Sequence, residues 1–169
     1  MLFLEISTIA GLPAHALLVH AAVVLVPLAA VALAVTCWKA SWRKAYSLPV
    51  ALIAVGGAAA ALLAKEAGES LEDTVARAAR SEGVTARFGD HPEQGDAAFA
   101  FALLLAFAAV AVWAVDRWGK RFNLPAWAPL ATYAVALVPA GIALIIMVVA
   151  GHSGAELVWK DVGTFAAGR

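Results

Sequence analysis

Between Ala16 and Trp38 the chain runs for 23 residues without an Asp, Glu, Lys or Arg. That length and polarity match the roughly 20 apolar residues a helix needs to cross a bilayer. Segments 48–64, 97–115 and about 127–151 share the character, the second being short and rich in alanine. In lipid every backbone N–H and C=O must be satisfied within the protein, so these stretches predict four spanning helices. Pro27 and Pro139 fall inside the first and fourth and are read as local kinks.

Composition closes the other routes. Hydrophobic residues make up 63% and charged residues 14%, against about 45–50% and 25% in soluble domains. A small soluble core cannot hide that much apolar surface, and disorder needs the opposite balance. Twelve basic and twelve acidic residues leave the chain neutral, which gives no reason to expect nucleic acid as a partner. A single cysteine, Cys37, excludes a disulfide framework or a thiolate-held iron–sulfur cluster within one chain.

The predicted fold is therefore all-α: an integral membrane, antiparallel four-helix bundle forming a single transmembrane domain over residues 1–169. Short-loop basic residues set its orientation. Lys39, Arg43 and Lys44 follow the first span, and Arg117, Lys120 and Arg121 follow the third. That side is assigned to the cytoplasm, and Trp38, Trp42, Tyr46, Trp113, Trp118 and Trp127 cluster there as an aromatic belt. Both termini and the long 65–96 loop then face outward. Glu5 precedes the first span and its basic residues follow it, the reverse of a cleaved signal peptide. The outer loop carries a net charge of −4. Leu71, Val75 and Ala78 recur in it at helical spacing, which predicts an amphipathic helix over the bundle mouth. In the second span Gly56, Gly57 and Ala58 to Ala61 form a small face, suited to close helix packing.

Four histidines, His15, His20, His91 and His152, all fall at the outward ends of their spans. His20 lies a turn inside an apolar helix, where an ionisable group is costly and usually functional. Five residues separate it from His15, about 140° around a helix. His91 sits in Asp90-His91-Pro92-Glu93, where Pro92 suits a first helical turn and Asp90 and Glu93 suit an N-cap and a first-turn acid. His152 would share a face with Glu156 if the helix continues, although Gly151 and Gly154 favour a bend equally.

These boxes carry a family resemblance. The run Gly11-Leu12-Pro13-Ala14-His15-Ala16-Leu17-Leu18-Val19-His20 resembles the G-L-P-x-H-P-L-L-V-H opening of a bacterial membrane-protein family, domain of unknown function 2231. The stretch His91-Pro92-Glu93-Gln94-Gly95-Asp96 is similar to its H-x-x-x-G-D box. Residues Gly151 to Trp159 are similar to its G-H-S-G-A-x-x-V-W ending. The match runs through essentially the whole chain, with Ala16 where proline is usual. It implies a multi-pass protein of the bacterial inner (cytoplasmic) membrane and is silent on activity. Relatives fused to Rieske-type domains imply membrane redox work.

Three functions compete. The first is a haem b protein for electron transfer, since four-helix bundles hold haem between imidazoles on facing helices; His20 and His91 are the expected pair. The second is a Cu, Zn or Fe site for sensing or delivery. It would use His15, His20, His91 and His152, with Glu69, Asp90 and Glu156 as supporting acids. The third is an accessory subunit of a membrane complex, or a homo-oligomer, in which polar boxes only close the bundle. Hydrolysis ranks low, because Ser153 beside His152 has no nucleophile elbow.

Overall fold

The computed structural model describes residues 8–9 and 11–167, with side chains described at Thr8, Gly11 and 13–159. Glu5 and both termini, whose side of the membrane the sequence assigns, lie outside the described residues. The fold is all-α. Helices α1 (Ala14–Trp38), α2 (Ala40–Ser81), α3 (His91–Trp118) and α4 (Ala128–Ala167) account for nearly all of it. Ahead of α1 a minimal antiparallel pair, β1 (Thr8–Ile9) and β2 (Leu12–Pro13), turns at Gly11, whose φ of 80° suits glycine. Each of the four helices is long and apolar enough to cross a membrane.

The helices follow from local chemistry. Helix α1 ends at Trp38, and one extended residue, Lys39 (φ −123°, ψ 119°), separates it from α2. Helix α2 has 42 residues, about 63 Å at 1.5 Å per residue and twice the hydrocarbon thickness. Its second half therefore projects from the bilayer as the helix expected in the outer loop, continuous with the span rather than separate from it. The projection stops in a Schellman motif: Val84 N–H donates to Ala79 O at 2.9 Å and Gly83 N–H to Arg80 O at 3.1 Å, with Gly83 at φ 75°. Helix α3 begins after Asp90, with Pro92 and Glu93 in its first turn. The Asp90 side chain makes no capping bond.

Packing is built on alanine. The buried core is mostly alanine from all four helices, with Val26, Leu33, Leu105 and Val112 its largest fully buried members. Small side chains let membrane helices approach closely, and van der Waals contact then supplies the attraction that water supplies elsewhere. The small face of α2 is used in this way: a Cβ on Gly57 would meet Val26 Cγ2 at 3.0 Å. Large apolar residues such as Val24, Leu28, Leu52, Phe107 and Ile145 point outward, as lipid contact requires. Helices α1 and α3 each pack on α2 and α4 and barely touch each other across the diagonal.

The two ends of this ring are held by different side chains. At one end meet the start of α1, the latter part of α2, the start of α3 and the latter part of α4. There Lys65 bonds Glu69 on its own helix and Asp96 on α3, the latter at 3.1 Å. At the other end, Arg43 Nη1 donates to Cys37 O at 2.7 Å and its Nε lies 3.7 Å from Asp116 Oδ1. Tyr133 donates its hydroxyl to the same carboxylate oxygen, and the Arg43 guanidinium stacks 4.3 Å over the Tyr133 ring. This second cluster joins all four helices.

Candidate functional site

Two histidines meet between the helix starts. The ring centres of His15, on α1, and His91, on α3, lie 6.2 Å apart with planes at 85°. Each imidazole is seated on the helix that follows its own in the chain. His15 Nδ1 lies 2.8 Å from Ala64 O on α2. A carbonyl only accepts, so Nδ1 carries the proton and donates it. His91 Nδ1 lies 3.0 Å from Ser153 Oγ on α4. The Ser153 hydroxyl proton is already given to Ala150 O at 3.1 Å, so Ser153 accepts from His91. Both rings are thus held as Nδ1–H tautomers with Nε2 as the basic nitrogen, the usual arrangement behind a ligating imidazole.

A glycine makes each seat possible. A Cβ on Gly68 would stand 2.9 Å from His15 Nδ1, and one on Gly154 would stand 2.8 Å from His91 Cε1. Both are closer than a real side chain tolerates, so any larger residue would displace the ring. The α1–α2 and α3–α4 hairpins therefore repeat one device: a histidine opening the first helix rests on a glycine in the second.

The pair borders a cavity of about 860 Å³, within the size range of cofactor sites. Its walls are largely apolar, from Val19, Val23, Met147 and Val158, while Lys65, Glu69, Glu72, Glu93 and Asp96 line its polar part. His20 lines it too, exposed, with Nδ1 donating to Ala16 O one turn back on its own helix. This leaves a third Nε2 free to accept. His15 and His20 both lie within α1, and both line the cavity.

The remaining residues singled out by sequence fall elsewhere. His152 and Glu156 are exposed on α4 and do not line the cavity, and the helix runs on through Gly151 and Gly154. The seat is taken by their neighbours Ser153 and Gly154. Asp90 is exposed at the start of α3 and also stays outside the lining. Glu69 lines the cavity and is engaged by Lys65. Among the described residues no three of His, Cys, Asp and Glu are grouped closely enough to hold a metal ion by themselves.

Sequence reasoning missed Ala64, Gly68, Ser153 and Gly154 as supports for the pair. The last two stand beside His152 in the closing box, a signal that was present. Ala64 and Gly68 are four apart on one helical face, a spacing that means nothing until His15 is known to lie across from it.

No curated protein and no solved structure matches the chain. The profile of a family described as a predicted membrane protein (DUF2231) matches residues 11–166. That range takes in both histidine seats and all four helices, and the chain belongs to this family.

Proposed function

We propose that this membrane protein binds b-type haem between His15 and His91 and takes part in electron transfer at the outward face of the bacterial inner membrane. The helices form an antiparallel bundle in this reading, with the histidine end outward and the arginine-bearing loops in the cytoplasm. The observation that carries it is the meeting of His15 and His91 at the starts of α1 and α3, each held through Nδ1 by the helix that follows its own.

The ring centres lie 6.2 Å apart, close enough for one bound group to engage both imidazoles. Ligand count points the same way. A porphyrin brings four nitrogens and asks the protein for two, whereas a bare Cu, Zn or Fe ion asks for three or more side chains, a grouping not found among the described residues. When bound, haem would supply one-electron exchange. The chain's own part is to hold both rings against rotation through Ala64 and Ser153. Its apolar wall excludes water from the ligand, and its carboxylates favour the more positively charged state of whatever they surround.

The test is the absorption spectrum of the detergent-solubilised protein, made with ample haem, as isolated and after dithionite. A Soret band with sharp reduced α and β bands is expected, lost in His15→Ala and in His91→Ala and kept in His152→Ala. A colourless protein from haem-replete cells overturns the reading. Stoichiometric copper, zinc or iron in that colourless sample would select the metal site, and no metal would select the accessory subunit.

A further inference from the structure

The His15–His91 pair leaves His20 unused, and the cavity extends well past the pair. Along α1 its wall runs through Val19, Val23 and Pro27, and along α4 through Met147, Gly151 and Val158. From Ala16 to Pro27 this is eleven residue steps, about 16 Å of groove at 1.5 Å per step. It follows the seam between α1 and α4, the least tightly packed of the four neighbouring helix pairs. His20 is placed partway along, about 7.5 Å below His15 on the helix axis.

The unspent polar groups of the groove are mostly acceptors: Lys65 is engaged by Glu69 and Asp96, which leaves the Trp159 indole N–H as the other side-chain donor in the lining. The Nδ1 proton of His20 is given to Ala16 O, so its Nε2 can only accept. Glu69, Glu72 and Glu93 at the polar end are acceptors as well. A complementary occupant has an apolar tail and a head that donates hydrogen bonds. The carboxylates oppose a phosphate-bearing lipid head. An ammonium head is held at the level of those carboxylates, because carrying its charge down to His20 is costly. A neutral phenolic hydroxyl has neither problem.

We propose that the α1–α4 groove binds a membrane-dissolved hydroquinone, with its tail along Val23, Pro27 and Met147 and a ring hydroxyl donating to His20 Nε2. The proposal goes beyond the haem reading and does not rest on it, since it uses neither His15 nor His91.

The test is calorimetric titration of the full chain, in phosphatidylcholine nanodiscs under anaerobic conditions, with a decyl-substituted benzohydroquinone and with its dimethyl ether. Heat is read equally from a coloured or a colourless protein, so failure here is separable from failure of the haem reading. The hydroquinone is expected to bind saturably and at least tenfold more tightly than the ether. His20→Phe should erase that preference, His20→Gln should restore most of it, and Val23→Trp should weaken both ligands by filling the groove. Equal binding of hydroquinone and ether overturns the proposal, as does a preference that survives His20→Phe. Displacement of the hydroquinone by equimolar phosphatidylethanolamine or phosphatidylglycerol also overturns it and assigns the groove to lipid.

Discussion

The two ends of the bundle each bring polar side chains from several helices together, and they do opposite things with them. At the arginine end the groups spend themselves on one another. Arg43 is shared among Cys37 O, Asp116 and the Tyr133 ring, and Tyr133 gives its hydroxyl to Asp116. Neither Arg43 nor Asp116 is much exposed, at 18% and 14% of their side chains, so this is a closed knot. At the histidine end the protons are spent inward, on Ala64 and Ser153, and the basic nitrogens are left over beside open volume. A candidate site is marked by unused valence next to space, not by the density of charge. The arginine end has no such surplus at its centre beyond one buried oxygen, Asp116 Oδ2.

Substitutions at the two ends should therefore separate binding from stability. The largest effect is expected for His91→Ala, with complete loss of the reduced α and β bands and little change in thermal midpoint. A variant that keeps its spectrum would break the comparison at once. Asp116→Ala should do the reverse. Breaking a mostly buried pair costs about 3–5 kcal/mol, read as a large fall in thermal midpoint in detergent with the spectrum of the surviving folded protein unchanged. Gly154→Ala comes next. Its Cβ would stand 2.8 Å from His91 Cε1, and overpacking of this kind costs about 1–3 kcal/mol. Here both the midpoint and the spectrum should move, because the displaced group is the proposed ligand. Ser153→Ala removes the hydrogen bond to His91, about 1 kcal/mol, along with the local one to Ala150 O, and should broaden the spectrum by freeing the His91 ring without abolishing it. The smallest effect belongs to Gly56→Ala, whose Cβ meets nothing within 4 Å. It should be neutral, or stabilising by the roughly 0.5–1 kcal/mol that alanine gains over glycine inside a helix. A large loss there would show that the small face of α2 is filled by something other than its neighbours.

A pair of results would sharpen the comparison further. If Gly68→Ala and Gly154→Ala weaken the spectrum equally, the two hairpins contribute equivalent seats. If only one does, the resemblance between the hairpins is one of shape and not of function.

The membrane class and the four helices were legible in the sequence, because uncharged stretches such as 16–38 admit no other solution in water or lipid. The small face around Gly57 was legible for the same reason: composition limits how closely a helix can be approached. The four histidines could be singled out, since an imidazole at the edge of an apolar span stands out against 63% hydrophobic residues. Their pairing could not. Which imidazole meets which depends on the rotation of α1 against α2 and of α3 against α4, and sequence spacing along one helix does not report rotation between two. Tertiary structure alone brought His15 to His91 and turned His20 toward the α1–α4 seam. It left His152 on the exposed side, and α4 stays helical through Gly151 and Gly154. It also decided the tautomers, which depend on backbone and hydroxyl partners 49 and 62 residues away.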